Sequence, residues 1–319
     1  MKGRKKFPGG LRIAGPEVSV TRIAVFTKNR LNPAYAGARL GADRVAARFG
    51  ASTVHFVPET PDDPYEQSAL IEQALADSVD AIVLVPCHPT AVNEAVHKIN
   101  AAGIPLINCI NRLTGGNYVS YAGADDYALG LDVARYLFRH MGGQGNIALV
   151  EGPPESVTGT QRSRAFRDAA REFPAIEVVG SCRGAYLQAP AREAVLALLP
   201  RLPSVDAVLA ANDSMALGAI EALKETGRPA LVAGINAVPE AIAAIKRGDL
   251  LVTADFNAMD MASIATECAV RHLRGDLVPK ELSLPAKLVD ASNYSRWDRP
   301  YEGRDTLAWE DVVPQTPSA

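Results

Sequence analysis

The segment VDAVLAANDSMALGAIEALKETG, residues 205–227, changes character in its middle. Val205, Ala207, Val208, Leu209 and Ala210 make a short apolar run that stops at Asn212-Asp213-Ser214. An alanine- and leucine-rich stretch follows, with apolar residues three and four apart. The first part reads as a buried strand and the last as an amphipathic helix. A strand, a polar seam and a helix form the half-unit of a parallel sheet covered by helices. Asn, Asp and Ser at such a seam are ordinary helix caps. They also stand at the carboxyl end of a strand, where open parallel sheets bind ligands.

The same rhythm runs outward in both directions. Strands are read at 22–27, 52–57, 80–85, 104–110 and 117–123, then at 146–152, 177–182, 206–211, 230–235 and 250–256. Helical spacing fills 33–49, 64–77, 90–101, 125–140, 161–172, 188–199, 213–226 and 257–274. The polar, glycine-containing GGNYVSYAGADD at 115–126 interrupts the pattern midway, and each half opens with a strand, a polar loop and a helix. The expected fold is therefore α/β, with two similar doubly wound parallel sheets. The proline- and charge-rich end, which holds Trp297 and Trp309, reads as a surface strap anchored by its aromatics.

Composition narrows the function. With 319 residues, 48% hydrophobic and 22% charged, the chain is long enough for two packed domains. A net charge of −3 gives no general attraction to nucleic acid. Residues 1–20, opening MKGRKK, read as a basic flexible tail. Pro8, Gly9, Gly10, Arg12, Gly15, Pro16 and Glu17 deny it the roughly 7–15 apolar residues of a secretory signal. A cytoplasmic location follows if Met1 is the native start. Cys87, Cys109, Cys182 and Cys268 lack metal or redox spacing, as do the five histidines, so no metal or cofactor is expected. TKNRLNP after the first strand has no glycine, which excludes a dinucleotide or phosphate loop there. No nucleophile elbow occurs, and Cys87-His88 reads as loop; an enzyme is not expected.

The strand ends carry Asn, Arg, Ser, Thr, Tyr and Phe. Amides and guanidinium groups hydrogen-bond hydroxyls in pairs, and aromatic faces cover the C–H surface of a sugar ring. With IAVFTKNRLNPAYAGARLGA (23–42), DAIVLVPCHPTAVNEAVHKINAAGIPLI (80–107), YAGADDYALGLDVARYL (121–137) and LAANDSMALGAIEALKETG (209–227) in this order, the chain resembles the ribose-type periplasmic sugar-binding proteins of ABC importers. Their ligand-binding fold is shared with lactose-repressor-type regulators. The resemblance spans about Arg22 to Val289. It implies two lobes, 21–124 plus 257–284 and 125–256 plus 285–319, joined by three crossings with the ligand clamped between them.

By resemblance, the ligand-binding positions are Lys28, Asn32, Tyr35, Asn111, Arg112, Thr160, Arg162, Tyr186, Asn212, Asn236 and Phe256. Asn212 would face the ligand while Asp213 or Ser214 caps the helix. Four positions depart from the ribose pattern. Lys28 replaces a small hydroxyl and Thr160 an arginine, with Arg162 two residues on. Asn236 replaces an aspartate and Phe256 a glutamine. Ribose itself is therefore disfavoured. A neutral sugar or polyol held by Asn32, Asn111, Asn212 and Asn236 is the first reading; a sugar acid paired with Lys28 and Arg112 is the alternative. The implied partners are the small molecule and an ABC permease, with a monomeric, periplasmic protein that binds no nucleic acid. A repressor is the first rival, but the roughly twenty residues before the first strand are too few for a helix-turn-helix. A cytoplasmic or sensor-coupled receptor is the stronger rival, because no export signal is read in the sequence.

Overall fold

A computed structural model describes residues 20–313; the N-terminal tail, but for Val20, lies outside the described residues. The chain first forms β1 (Arg22–Phe26), α1 (Pro33–Arg48), β2 (Ser52–Phe56), α2 (Pro64–Ala76), β3 (Ala81–Leu84), α3 (Asn93–Ala101), β4 (Leu106–Cys109) and β5 (Ser120–Gly123). A second series follows. It comprises α4 (Asp126–His140), β6 (Gln144–Glu151), α5 (Val157–Arg171), β7 (Ala175–Arg183), α6 (Gln188–Leu198), β8 (Ala207–Ala210), α7 (Asp213–Thr226), β9 (Leu231–Ala233), α8 (Pro239–Arg247) and β10 (Val252–Ala254). The chain ends in α9 (Ala258–Leu273), β11 (Glu281–Ser283), β12 (Leu288–Asp290) and the short α10 (Trp309–Val312).

Two six-stranded sheets result, ordered β11-β5-β4-β3-β1-β2 and β12-β10-β9-β8-β6-β7. Renumbered within each lobe, the two orders are the same. All pairings are parallel except β10 with β12. β1 shows why both faces are apolar. Ile23 and Val25 pack with Ala38 and Ala42 of α1, whereas Ala24 and Phe26 point the other way, towards Ile71 of α2 and Val96 of α3. Alternate side chains leave a strand on opposite faces, so a strand buried on both must be apolar throughout. Each such Val, Ile or Phe contributes about 1.5–3 kcal/mol through burial. α1 and α9 cross closely at Gly41, where a Cβ would lie 2.4 Å from the Met259 carbonyl oxygen.

The chain passes between the sheets three times, from β5 to α4, from β10 to α9 and from β11 to β12. α9 returns to the first lobe against α1, β4 and β5, and α4 packs on α5 and β10 of the second. The C-terminal segment is shared. Trp297 Nε1 donates to Asp255 (2.8 Å), Lys246 pairs with Asp298 (2.7 Å) and Arg304 Nη1 donates to the Ala237 carbonyl (2.8 Å), all on the second lobe. The chain then lies on the first. Arg44 Nη1 donates to the Arg304 carbonyl (2.7 Å), Leu307 N to Asp260 (2.9 Å), and the Arg271 guanidinium covers Trp309. The strap that sequence assigns to the second lobe thus bridges both.

Candidate ligand-binding site

The carboxyl ends of the two sheets face each other, and the first turns of their helices carry the polar side chains. After β1, Asn29 Oδ1 accepts from Leu31 N (3.1 Å) and Asn32 N (2.8 Å), and Asn32 Oδ1 accepts from Ala34 N (3.1 Å). With Pro33 at the first helical position, this cap starts α1 and places Tyr35 in its first turn. Lys28, with a side chain only 4% exposed, pairs with Asp62 at 2.9 Å. Burial disfavours the ammonium, but Tyr35 and Asp62 more than offset it, so Lys28 holds its proton above the ordinary lysine value. After β4, buried Asn108 donates to the Asn111 carbonyl (2.8 Å) and accepts from Leu113 N (3.0 Å), shaping the turn that carries Asn111.

In the second lobe, Ser156 Oγ accepts from Gly159 N (3.2 Å), so α5 begins at Val157 rather than 161. This phase turns Thr158 and Arg162 inward. Arg162 Nε donates to Asp126 (2.8 Å) and Nη1 to the Ala211 carbonyl (2.7 Å), while its guanidinium stacks on Phe256 at 4.4 Å. The Tyr186 hydroxyl meets Ser156 Oγ at 3.1 Å. Asn212 Oδ1 accepts from Met215 N (2.8 Å) and its Nδ2 donates to the Tyr186 carbonyl (3.1 Å). Asn212 is therefore itself the cap of α7, and neither Asp213 nor Ser214 takes that role. Asp213 instead accepts from Thr253 Oγ1 (2.7 Å) and Val238 N (3.1 Å), pinning the β9–α8 turn. Burial pushes its carboxyl up to about 7, against those two bonds.

Nine of the eleven residues named from sequence line one small interlobe cavity: Lys28, Asn32, Tyr35, Asn111, Arg162, Tyr186, Asn212, Asn236 and Phe256. Ala34, Ile110, Thr158 and Ala258 complete the wall. The remaining two do not reach it. Arg112 turns away to a bidentate pair with Glu281 of β11 (2.8 and 2.9 Å) and stacks on Tyr121 at 3.8 Å. Thr160 lies on the exposed face of α5, its hydroxyl donating to the Val157 carbonyl at 2.9 Å. Asp62, Asp126 and Thr158 escaped sequence reading. The signal for the two carboxylates was indirect, since a buried Lys or Arg requires an acid beside it.

The cavity holds about 30 Å3, and Asn111 Nδ2 donates across it to Thr158 Oγ1 at 3.0 Å, so the lobes stand closed. Two of its polar atoms, Arg162 Nη2 and Asn111 Oδ1, are buried without a hydrogen-bond partner among the described residues. Strain gathers in the same place. Among the described residues, seven other than glycine have positive φ, and all but Ser78 lie in or beside the cleft: Asp62, Ile110, Ala185, Tyr186, Asn236 and Ala237. Such conformations cost about 1–3 kcal/mol each and persist where surrounding structure enforces them. A larger surface hollow lies along α5, and three of its four arginines pair locally, Arg167 with Glu151 and both Arg164 and Arg171 with Asp168.

Two like-folded lobes closed on a polar, aromatic cavity define a two-lobed solute-binding protein. The chain belongs to the periplasmic binding protein domain family, whose model matches residues 23–277. It is 27% identical over 266 residues to the ribose import binding protein of Bacillus subtilis, covering 83% of this chain and 85% of that one. Among solved structures, it resembles an ABC transporter periplasmic solute-binding protein from Actinobacillus succinogenes with bound D-allose. That match has 29% identity and a TM-score of 0.82, covering 86% of this chain and 99% of that one. An ABC transporter solute-binding protein from Bacillus halodurans with bound myo-inositol matches at 26% identity and a TM-score of 0.81, covering 87% and 97%.

Proposed function

We propose that this protein binds a neutral monosaccharide or polyol between its lobes and delivers it to an ABC importer at the periplasmic face of the membrane. The observation that carries the reading is the cavity's balance of charge and hydrogen bonds. Lys28 is matched by Asp62, and Arg162 by Asp126. Fully buried in the cavity and without a hydrogen-bond partner among the described residues are one donor, Arg162 Nη2, and one acceptor, Asn111 Oδ1. A hydroxyl both accepts and donates, so a polyhydroxylated ligand serves the two at once, whereas a carboxylate serves only the first. Tyr35, Tyr186 and Phe256 supply faces for its C–H surface.

The sugar-acid alternative rested on Lys28 and Arg112. One is already paired, and the other points to Glu281 outside the cavity. Binding rather than catalysis is supported by the state of Cys87 and His88, the adjacent thiol and imidazole after β3. Burial pushes the Cys87 thiol up to about 12, and His88 Nδ1 accepts from Ala91 N (3.0 Å) within its own turn. The proposed protein is a monomer that presents its closed form to the permease and binds no nucleic acid.

The test is thermal unfolding of ligand-stripped protein with pentoses, hexoses, polyols, aldonates and uronates at about 1 mM. A micromolar ligand adds roughly 4 kcal/mol at that concentration. Stabilisation by a neutral sugar or polyol is expected. Stabilisation by acids alone, or by nothing in the panel, overturns the reading.

A further inference from the structure

Asp62 lies behind the cavity wall, on the loop between β2 and α2, with its side chain 23% exposed to solvent. Three contacts clasp it to the loop after β1. Its Oδ2 takes Lys28 Nζ at 2.9 Å, its Oδ1 accepts from Asn29 Nδ2 at 2.6 Å, and its N–H donates to the Lys28 carbonyl at 3.0 Å. Its backbone is held at φ +62°, a conformation that favours glycine. The next residue, Asp63, caps α2 through Tyr65 N (2.7 Å) and Glu66 N (2.9 Å), so the loop is anchored on both sides. The other groups around Lys28 are Tyr35 from α1, Cys87 from the loop after β3 and the Tyr186 ring of the opposite lobe at 5.8 Å. Asp62 is the one carboxylate paired with Lys28 among the described residues.

We propose that Asp62 sets the charge selectivity of the cleft. It takes up the charge of Lys28, so the ammonium serves a neutral hydroxyl as donor without attracting an anion, and sugar acids are rejected. This rests on the neutral-ligand reading above. A ligand carboxylate reaching Lys28 would also approach Asp62, and two like charges with a single counter-ion is the arrangement that binding sites use against wrong partners. Asp62 touches no ligand itself; it acts as a positioning and charge-balancing residue. Removing its charge should turn Lys28 into an anion receptor. Removing Lys28 should leave Asp62 as a receptor for a cation.

The experiment is calorimetric titration at pH 7.5 with the matched pairs D-ribose and D-ribonate, D-glucose and D-glucuronate, and D-galactose and D-galacturonate. D-glucosamine and D-galactosamine are included as cationic probes. The proteins are wild type, Asp62→Gly (which suits the observed φ), Asp62→Asn and Lys28→Ala, each checked by a melting curve. Wild type should prefer the neutral member of a pair. Both Asp62 variants should shrink that preference by about tenfold or more or invert it, and Lys28→Ala should shift it by a similar factor towards the amino sugar. Unchanged acid-to-neutral ratios in folded Asp62 variants overturn the proposal. If neither variant folds, the amino-sugar ratio of Lys28→Ala decides it alone, an unchanged ratio counting against. The neutral member of each pair is replaced by any neutral sugar that stabilises wild type in the unfolding screen, with its own acid form. Wild type that binds only the acid forms refutes the underlying function instead, so the two failures are distinguishable.

Discussion

Asn212 shows how one side chain serves fold and site together. Its oxygen caps α7 and its nitrogen holds the Tyr186 carbonyl, which fixes the amide against the cavity wall. Asn212→Ala should therefore cost about 1–2 kcal/mol in denaturant melts and also weaken ligand binding. Asn212→Ser, a competent cap, should recover most of the stability but not the affinity; recovery of both would make the residue a cap alone. Asp213, its neighbour, carries a different signal. Its native pKa of about 7 lies well above the roughly 3.9 of an unfolded aspartate. Between those values the native state binds the proton more tightly, so Asp213 lowers stability as pH rises from about 4 to 7. Urea melts of Asp213→Asn, which lacks the titration, should gain on wild type across that window, by an amount on the order of a few kcal/mol. A difference that stays constant with pH would mean that Asp213 titrates normally.

At the scale of elements, what sequence disclosed was periodicity, and what it hid was phase. β1, α1, β8 and α7 are continuous apolar patterns with clean caps, and they were legible within a residue or two. α5 was not. Its first turn, Val157 to Thr160, contains Gly159 and follows two prolines, so it has no apolar stripe to announce a helix. The Ser156 cap moves the start four residues upstream, and that shift puts Arg162 in the cavity and Thr160 in solvent. Arg112 was misplaced for a related reason. Ile110 bends the chain at φ +61°, and the partner Glu281 sits on β11, a three-residue strand too short to show a period. The helix phase makes its own prediction. Thr160→Ala should change stability by less than about 0.5 kcal/mol and leave ligand affinity alone. Arg162→Lys keeps the charge but not the fork that reaches Asp126, Ala211 and the cavity together, and should lose ligand affinity by at least about tenfold. Calorimetric titration of both variants checks this; a sensitive Thr160 with a tolerant Arg162 would reverse the assignment of faces.

The whole molecule adds a feature that neither lobe contains. The family match ends at residue 277, and the strap that joins the lobes lies beyond it. On the second lobe it is tied at Ala237, next to cavity-lining Asn236; on the first it is tied at Arg44, on the helix that carries Tyr35. The Tyr301 ring also fills the space above Gly37, where a Cβ would stand 2.7 Å from it. Parting the lobes must break one set of these contacts or carry the strap along. Ligand affinity depends on the fraction of protein in the competent form, so contacts that favour closure raise apparent affinity without touching ligand. Arg44→Ala with Tyr301→Ala loosens the strap on the first lobe and leaves its ties to the second. If the lost contacts are worth about 1 kcal/mol of closure, apparent affinity should fall about fivefold. Ligand should leave faster, and the ligand-free protein should show a larger radius of gyration in X-ray scattering. The contacts within the cavity are unaltered, so a saturating ligand should restore the compact scattering curve. Unchanged affinity and scattering would instead make the strap a passive cover that follows the lobes as they open.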